Sequence, residues 1–584
     1  MDLKSQTPPV YLRRMFGIST YAQILTGLTL TVATSTITEG GYATGHGYAL
    51  SGVLGNSGTY GSINPSTYTF GGFQISAMSQ MFGSGSEEFT VALSGSAAGA
   101  VWSFSITDDT STVYTFSSSG ATPVVTGGNT LWIFSSTIAL TVGHTYTINV
   151  ITGGTGGGVG TSPIRGMWDM NGITYVVIGS GLYTMTAGLF TLIASGIGGT
   201  GFVRMTDNTA CLVILIPSTA ICYTYTVANG LQQLLDSTFL FYGAIDCWFL
   251  DSYIIFLALN GLEFFNDDGQ AVSGQGQITF TTGGVFVREF GTDPFVGMCV
   301  DHRTALMFGR RTSEGYVNAG NATESPFSSA PDTYMQIGMF PTTPYAIALQ
   351  DQSVLWLAND LTVRRRNGQT PIRVSNSGIE AILEANKTQL TGAYAMAPTI
   401  GGHPLWVLTI PLIQRTLVYD CLTTEWFELE SLSATQGSLA WRPLCYYNAQ
   451  GLQLVGDSQA SQVGYLDAST YAEFGSPMRA RGFTQSVYDN HNRLNHRRLE
   501  AVITAGGSTS LTAGAQLTMF ASDDAGSIYR PLSPKNLGAE GKRSTRAVWF
   551  NLGQSRDRAY EWQLSDPTPL FTVALTAEIE GGRF

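Results

Sequence analysis

The sequence predicts an all-β chain, a β-propeller with an inserted N-terminal β-sandwich-like domain and a C-terminal β-sandwich domain. Three observations predict it. Charged residues are only 12% of the 584, while 69 glycines and many Ser and Thr residues punctuate aromatic and β-branched runs, the pattern of short strands joined by tight turns. A unit of strand, polar turn and strand recurs every roughly 40 to 50 residues, the period of propeller blades. The composition also shifts twice, near 160 and near 478.

Residues 1–24 read as an arm that joins the propeller or a neighbouring subunit. Residues 25–160 read as the inserted domain. No Lys or Arg occurs between Met15 and Pro163. Strands are expected there at Phe73–Ala77, Glu88–Leu93, Val101–Thr107, Leu131–Phe134 and Thr145–Val150, and their alternation suits a small two-sheet sandwich. The run Gly153 to Gly160 closes this zone as a flexible boundary. It lacks the GK[ST] that would make it a phosphate cradle. An inserted domain is tolerated where both its ends meet at a surface turn. The flanks should therefore lie close together, with the domain outside the ring.

Residues 161–477 read as the propeller. Seven candidate units carry the repeat, and the reading that one of them belongs to the flanks stays open. The first four are Met167–Gly172 into Thr174–Ile178, Met205–Asn208 into Cys211–Leu215, Cys247–Asp251 into Tyr253–Phe256, and Met298–Asp301 into Ala305–Phe308. The last three are Ala348–Asp351 into Val354–Leu357, Ala397–His403 into Leu405–Leu408, and Tyr446–Asn448 into Leu452–Leu454. A single blade cannot bury both its faces, so blades stack radially, and about five to seven close a ring. Residues 478–584 regain charge. Strands at Glu500–Thr504, Gln516–Ala521, Ala547–Leu552, Tyr560–Ser565 and Phe571–Glu578 alternate as a second sandwich would.

The same sequence argues against chemistry. Its net charge of −12 disfavours binding of free nucleic acid through a basic patch. The clusters Arg364-Arg365-Arg366 and His496-Arg497-Arg498 read as solvated or interface faces. Cys211, Cys222, Cys247, Cys299, Cys421 and Cys445 show no CxxC spacing and read as buried free thiols of a reducing cytosol. His46, His144, His302, His403, His491 and His496 make no metal or triad motif, and His302 and His403 read as hairpin caps. Glu87-Glu88, Asp108-Asp109, Asp267-Asp268 and Asp523-Asp524 sit at strand boundaries, where a short acid bonds its own turn. Ser522 to Tyr529 imitates the Asp box of sialidase-type propellers, a hairpin stabiliser. No catalytic, cofactor-binding or metal-ligating residue is expected, nor any cofactor, and the chain reads as no enzyme. The N-terminus lacks the apolar core of a signal peptide. Pro217 and Asp251 interrupt the most apolar runs, so membrane insertion is not expected.

From Ser162 onward the chain resembles the tail-hub or nozzle proteins of short-tailed bacteriophages, often named packaged-DNA stabilization proteins. Ser162-Pro163-Ile164-Arg165-Gly166-Met167-Trp168 opens the resemblance, followed by Asn171-Gly172, Gly181-Leu182-Tyr183 and Met205-Thr206-Asp207-Asn208. It continues through Ser325-Pro326-Phe327, Leu355 to Asp360, Pro371 to Ser375, Gly402-His403, Val418-Tyr419-Asp420 and Thr424-Glu425-Trp426. Leu552-Gly553, Arg556-Asp557-Arg558 and Ser565-Asp566-Pro567 resemble the family's C-terminal region, whereas about 25 to 160 departs from it. The resemblance implies a virion tail protein, made in the host cytoplasm and assembled as a homohexameric ring. That ring would extend the DNA channel below the portal and its adaptor, retain packaged double-stranded DNA and carry tail fibre, tailspike or needle proteins during genome ejection. The alternative is a receptor- or glycan-binding tail propeller, one that cleaves glycan in its strongest form.

Overall fold

Turn chemistry comes first, because it decides which strands can pair. In the computed structural model, the first two strands of six blades are joined by turns whose two central residues both have positive φ, as a tight antiparallel hairpin requires. These are Asn171-Gly172, Asp251-Ser252, His302-Arg303, Asp351-Gln352, Gly401-Gly402 and Gln450-Gly451. The remaining hairpin turns at Asn208, whose side chain accepts from the backbone N–H of Cys211 (2.8 Å), with Thr209 at φ 70°. The structure describes strands of backbone between Tyr11 and Val159. Side chains are described at 17–23 and, with short gaps, from 160 to 581.

Among the described residues seven blades result, each with a core of four antiparallel strands, to which short strands are added in the sheets of blades 6 and 7. Blade 1 comprises Ile164–Met170, Ile173–Ile178, Gly181–Thr186 and Leu189–Ser195. Blade 2 comprises Arg204–Asp207, Leu212–Ile216, Ile221–Thr226 and Gly230–Gln233, and blade 3 Asp246–Leu250, Tyr253–Leu257, Glu263–Asn266 and Val285–Val287. Blade 4 spans Phe295–Asp301 to Phe327–Met335, blade 5 Ile347–Gln350 to Ile372–Arg373, and blade 6 Tyr394–Met396 to Trp426–Leu432. Blade 7 takes three strands from Pro443–Ala449, Leu452–Asp457 and Gln462–Asp467. Its fourth is Gly17–Gln23, antiparallel to Gln462–Asp467. A strand from the start of the chain thus closes a ring whose other strands come from its middle. Each of the seven predicted units is the first hairpin of one blade.

Strand periodicity explains the packing. Successive side chains point to opposite faces, so a strand inside a stack of blades feeds two cores. In Leu212–Ile216, Leu212, Ile214 and Ile216 join the core shared with blade 1. Val213 and Leu215 join the core shared with blade 3. All five are fully buried, which is why the central strands read as unbroken apolar runs. The closing strand behaves likewise, sending Ile18 between blades 6 and 7 and Ala22 between blades 7 and 1.

Polar ties supplement every one of these cores. Trp168 Nε1 donates to Asp207 across blades 1 and 2 (2.7 Å), and Arg204 pairs with Asp246 across 2 and 3 (2.6 Å). Arg303 grips Asp251 through two bonds between 4 and 3, and Arg366 reaches Asp301 between 5 and 4 (2.6 Å). Gln350 donates to Pro398 O and Leu405 O in blade 6. Tyr394 donates to Pro443 O (2.9 Å), and Gln450 to Thr174 in blade 1 (3.0 Å).

Beyond the propeller, two antiparallel sheets share one apolar core. One contains Ala480–Phe483, Gln516–Ser522 and Asp557–Leu564, and the other Leu494–Thr504, Thr545–Phe550 and Phe571–Gly581. Leu517, Met519 and Tyr560 meet Leu499, Trp549 and Leu575 between them. In the N-terminal zone the two flanks pair with each other, Leu25 with Val159 and Thr26 with Gly158. Two further sheets lie between those flanks. They are built on Phe73–Phe82, Ser86–Gly95 and Asn129–Ile138, and on Ser103–Asp108 and Tyr146–Ile151. Among the described residues no helix is long and apolar enough to cross a membrane.

Candidate assembly surfaces of the propeller

The propeller has an axis, two faces and an outer junction, and each is built from identifiable side chains. The axis is crossed at the end where the innermost strands begin. Phe202, just before blade 2, meets Tyr345, just before blade 5, edge to face with centroids 4.5 Å apart. Tyr345 donates its hydroxyl to Ile245 O at the start of blade 3 (2.7 Å). The Arg204 guanidinium lies over Trp248 (5.0 Å) and Tyr345 (6.0 Å) while it pairs with Asp246. Burial, followed by the Asp246 carboxylate, pushes the Tyr345 phenol upward, so it stays a neutral hydrogen-bond donor. Rings from blades three apart meet only by spanning the centre. Sequence reasoning missed this plug.

On the opposite face lie the seven hairpin turns. A groove of about 420 Å³ opens between blades 4 and 5, lined by Asp301, His302 and Leu349 to Gln352. Asp301 is almost fully buried. It is shared by His302 Nδ1 (2.5 Å) and Arg366 (2.6 Å). His302 itself occupies a left-handed turn position, so the ring serves its hairpin. His403 Nδ1 meets Asp420 (2.8 Å). That carboxylate is fully buried and also accepts from Leu422 N–H and Thr423. These bonds outweigh burial and hold its pKa below the ordinary value.

A family model described as bacteriophage P22 Gp10, beta-propeller, matches residues 137–471, more than half of the chain. The chain belongs to this family. Membership makes it a tail-hub component of a phage, associated in the virion with other tail and portal proteins. The family is one of structural tail proteins. A search of curated proteins finds no match. Among solved structures, the chain is similar to a catalytically inactive virginiamycin B lyase from Staphylococcus aureus with quinupristin (9% identity, TM-score 0.32). That match covers 53% of this chain and 95% of the lyase. It is also similar to BamB from Moraxella catarrhalis (12%, TM-score 0.30, 53% and 99%) and to PorZ from Porphyromonas gingivalis (10%, TM-score 0.34, 58% and 43%).

Arginines in the motifs that resemble the tail-hub family are structural ties. Arg165 is buried and donates to the carbonyls of Gly201 (2.7 Å), Gly179 (2.9 Å) and Gly198 (3.1 Å). It thereby staples one end of blade 1 to the link toward blade 2, and burial lowers its pKa. Arg558 is fully buried and reaches Asp523 (2.5 Å) and Leu552 O (2.7 Å). The basic runs are neutralised. Arg364, Arg365 and Arg366 pair with Asp360, Asp351 and Asp301, and Arg497 with Glu580.

His496 differs from the solvated position its neighbours suggest. A register shift between His496 and Arg498 turns it inward. There its ring meets Ser555 (3.0 Å) and the Tyr560 hydroxyl (2.9 Å). Burial, then Arg558, lowers its pKa to about 4.

The acidic pairs separate in the same way. Asp524 accepts from the backbone N–H groups of Ser527 and Ile528, a turn role. Asp267 accepts from Ile254 N–H (2.8 Å), and burial raises its pKa to about 7. Glu87, Glu88, Asp108, Asp109, His46, His144 and His491 have side chains outside the described residues. No group of three or more His, Cys, Asp or Glu that could hold a metal occurs among the described residues. The six cysteines are free, five of them buried.

Among the described residues one apolar group beside blade 3 stands exposed. The short helix Ser237–Tyr242 leaves Leu240 and Phe241 exposed, with Leu235 and Leu259 exposed beside it. At the outer junction Glu430 of blade 6 receives Arg479 (2.8 Å) and Arg481 (3.1 Å), which lead into the C-terminal sheets.

Proposed function

We propose that the chain is one subunit of a homohexameric tail-hub ring that extends the DNA channel below the portal and adaptor. It retains packaged DNA and carries the distal fibre, spike or needle proteins through ejection. The observation that carries this reading is the family match over residues 137–471. The plugged axis supports a conduit that runs between subunits, since Phe202 and Tyr345 occupy the propeller's own centre. At −12 per subunit, six copies carry on the order of −70 charges, and a negative wall repels a sliding polyanion where a basic one would hold it. The paired state of Arg364, Arg365 and Arg366 fits that picture. The exposed apolar group around Phe241 is of the kind that marks association surfaces.

Within this reading the chain divides into an arm (1–24) that joins the propeller through Gly17–Gln23, an appended domain (25–160), the propeller (161–477) and a C-terminal sandwich (478–584). The paired flanks of the second unit support its description as an insertion whose two ends meet, and we place it on the outside of the ring. Quantitative mass spectrometry of purified virions tests the proposal. Six copies per particle are expected, and any other number overturns the hexamer.

A second reading, glycan binding or cleavage, is favoured by one observation, the groove beside His302. Incubation with host-envelope polysaccharide should release no reducing sugar. Release that Asp351→Ala abolishes would favour the second reading.

A further inference from the structure

Glu473 stands where four parts of the chain meet. It lies on the two-residue strand Ala472–Glu473, which pairs in parallel with the closing strand, Ile18 opposite Glu473. The next residue, Phe474, donates its backbone N–H to Ile18 O (3.0 Å). The short hairpin formed with Ser476–Pro477 then leads into the C-terminal sheets. Its side chain reaches sideways to blade 6, where Ser431 donates its hydroxyl to Glu473 Oε1 (2.7 Å). Ser431 is held in turn by the backbone N–H of Arg442 (2.9 Å).

This carboxyl is 4% exposed and takes part in no ion pair among the described residues. The charged groups facing it are Arg442 and Asp457. Arg442 is already committed to Asp457 through two bonds (2.7 and 2.5 Å). Asp457 is fully buried and holds Gln462 as well. The local charge is therefore balanced without Glu473, and a negative charge there would be surplus in a dry site.

We propose that Glu473 is a proton-operated latch on the propeller's closing seam, holding Gly17–Gln23 and the hairpin at 472–477 in place while neutral and releasing them when ionised. Burial pushes the carboxyl up to about 7, with Ser431 and Arg442 pulling weakly the other way. A group whose folded pKa lies above its unfolded value stabilises below the unfolded value, and that stability is lost as pH rises through the folded one. The seam should therefore loosen above neutrality. Both appended units are tied to it. The closing strand runs into the paired stem at Leu25 and Val159, and the hairpin runs into the C-terminal sheets. One proton thus governs how firmly both are anchored, whatever the particle they serve.

Hydrogen–deuterium exchange on the full chain between pH 6 and 8, corrected for intrinsic exchange, tests this. Opening of peptides covering 17–23 and 472–477 should rise about tenfold over that range, while peptides covering blades 4 and 5 should not change. Glu473→Gln should abolish the rise. Ser431→Ala, which removes the hydroxyl favouring the ionised form, should move the midpoint upward. No local rise in the wild type, a rise shared by all peptides, or a rise that persists in Glu473→Gln would each overturn the latch.

Discussion

Blade 3 and blade 7 have the same four-stranded plan, and each contains or abuts a buried carboxyl whose pKa is raised to about 7, Asp267 and Glu473. They differ in how the chain builds them. Blade 3 is made from one continuous stretch, Asp246 to Val287, whereas blade 7 borrows its fourth strand from the start of the chain. A buried carboxyl inside a continuous blade acts on the whole cooperative unit. The same carboxyl at a borrowed strand acts on a seam. Chain connectivity, more than local electrostatics, decides whether ionisation is felt globally or locally.

Emptying the core of blade 3 and that of the closing seam should give different unfolding behaviour. Phe256→Ala removes a fully buried ring packed on Phe239, Phe265 and Phe280. It should cost about 3–5 kcal/mol, read as a drop in the midpoint of the single denaturant transition of the propeller. Ile18→Ala should cost about 2–4 kcal/mol but should appear first as lost exchange protection at 17–23 and 462–467. If Ile18→Ala lowers the whole transition with no local signature, the closing strand belongs to the same cooperative unit as blade 3.

The pH response of blade 3 sharpens the comparison further. Asp267 has a folded pKa near 7 against an ordinary value of 3.8. Its contribution is present below about pH 4 and is lost as pH rises through about 7. Asp267→Asn keeps an oxygen for the Ile254 N–H. It should leave stability unchanged at pH 4 and raise it on the order of 2 kcal/mol at pH 8.5. Urea titrations at the two pH values check this, and equal shifts at both would contradict it.

A smaller effect is expected at the outer junction. Glu430→Gln weakens the hold of Arg479 and Arg481 by about 1 kcal/mol. It should let the C-terminal sheets melt ahead of the propeller in calorimetry.

What the sequence made legible was local. The seven hairpins could be read because each joins an alternating or continuous apolar strand to a turn of Asn, Asp, His, Gln or Gly, and turn chemistry acts over a few residues. The fourth strand of blade 7 could not be placed by such signals, because its partner Gln462–Asp467 lies at the far end of the propeller. The plug was hidden for a related reason. Phe202 and Tyr345 are remote in sequence, and nothing in either neighbourhood marks the axis. Asp301 and Asp351 were visible at the turns of their units, and Asp360 only within a motif shared with the family. Arg364 and Arg365 find Asp360 and Asp351 inside blade 5, but the pairing of Arg366 with Asp301 depends on which blade stacks on which. His496 was misjudged because a single register shift reverses the face of a strand residue.

We have proposed that this propeller is a wall element of a tail hub and is not itself the conduit. Electron cryomicroscopy of the assembled tail tests it most directly. Six propellers should surround a shared channel that holds the DNA, each with its own axis filled by Phe202 and Tyr345. DNA density along the axis of a single propeller, or propellers found only at the tips of fibres, would contradict it.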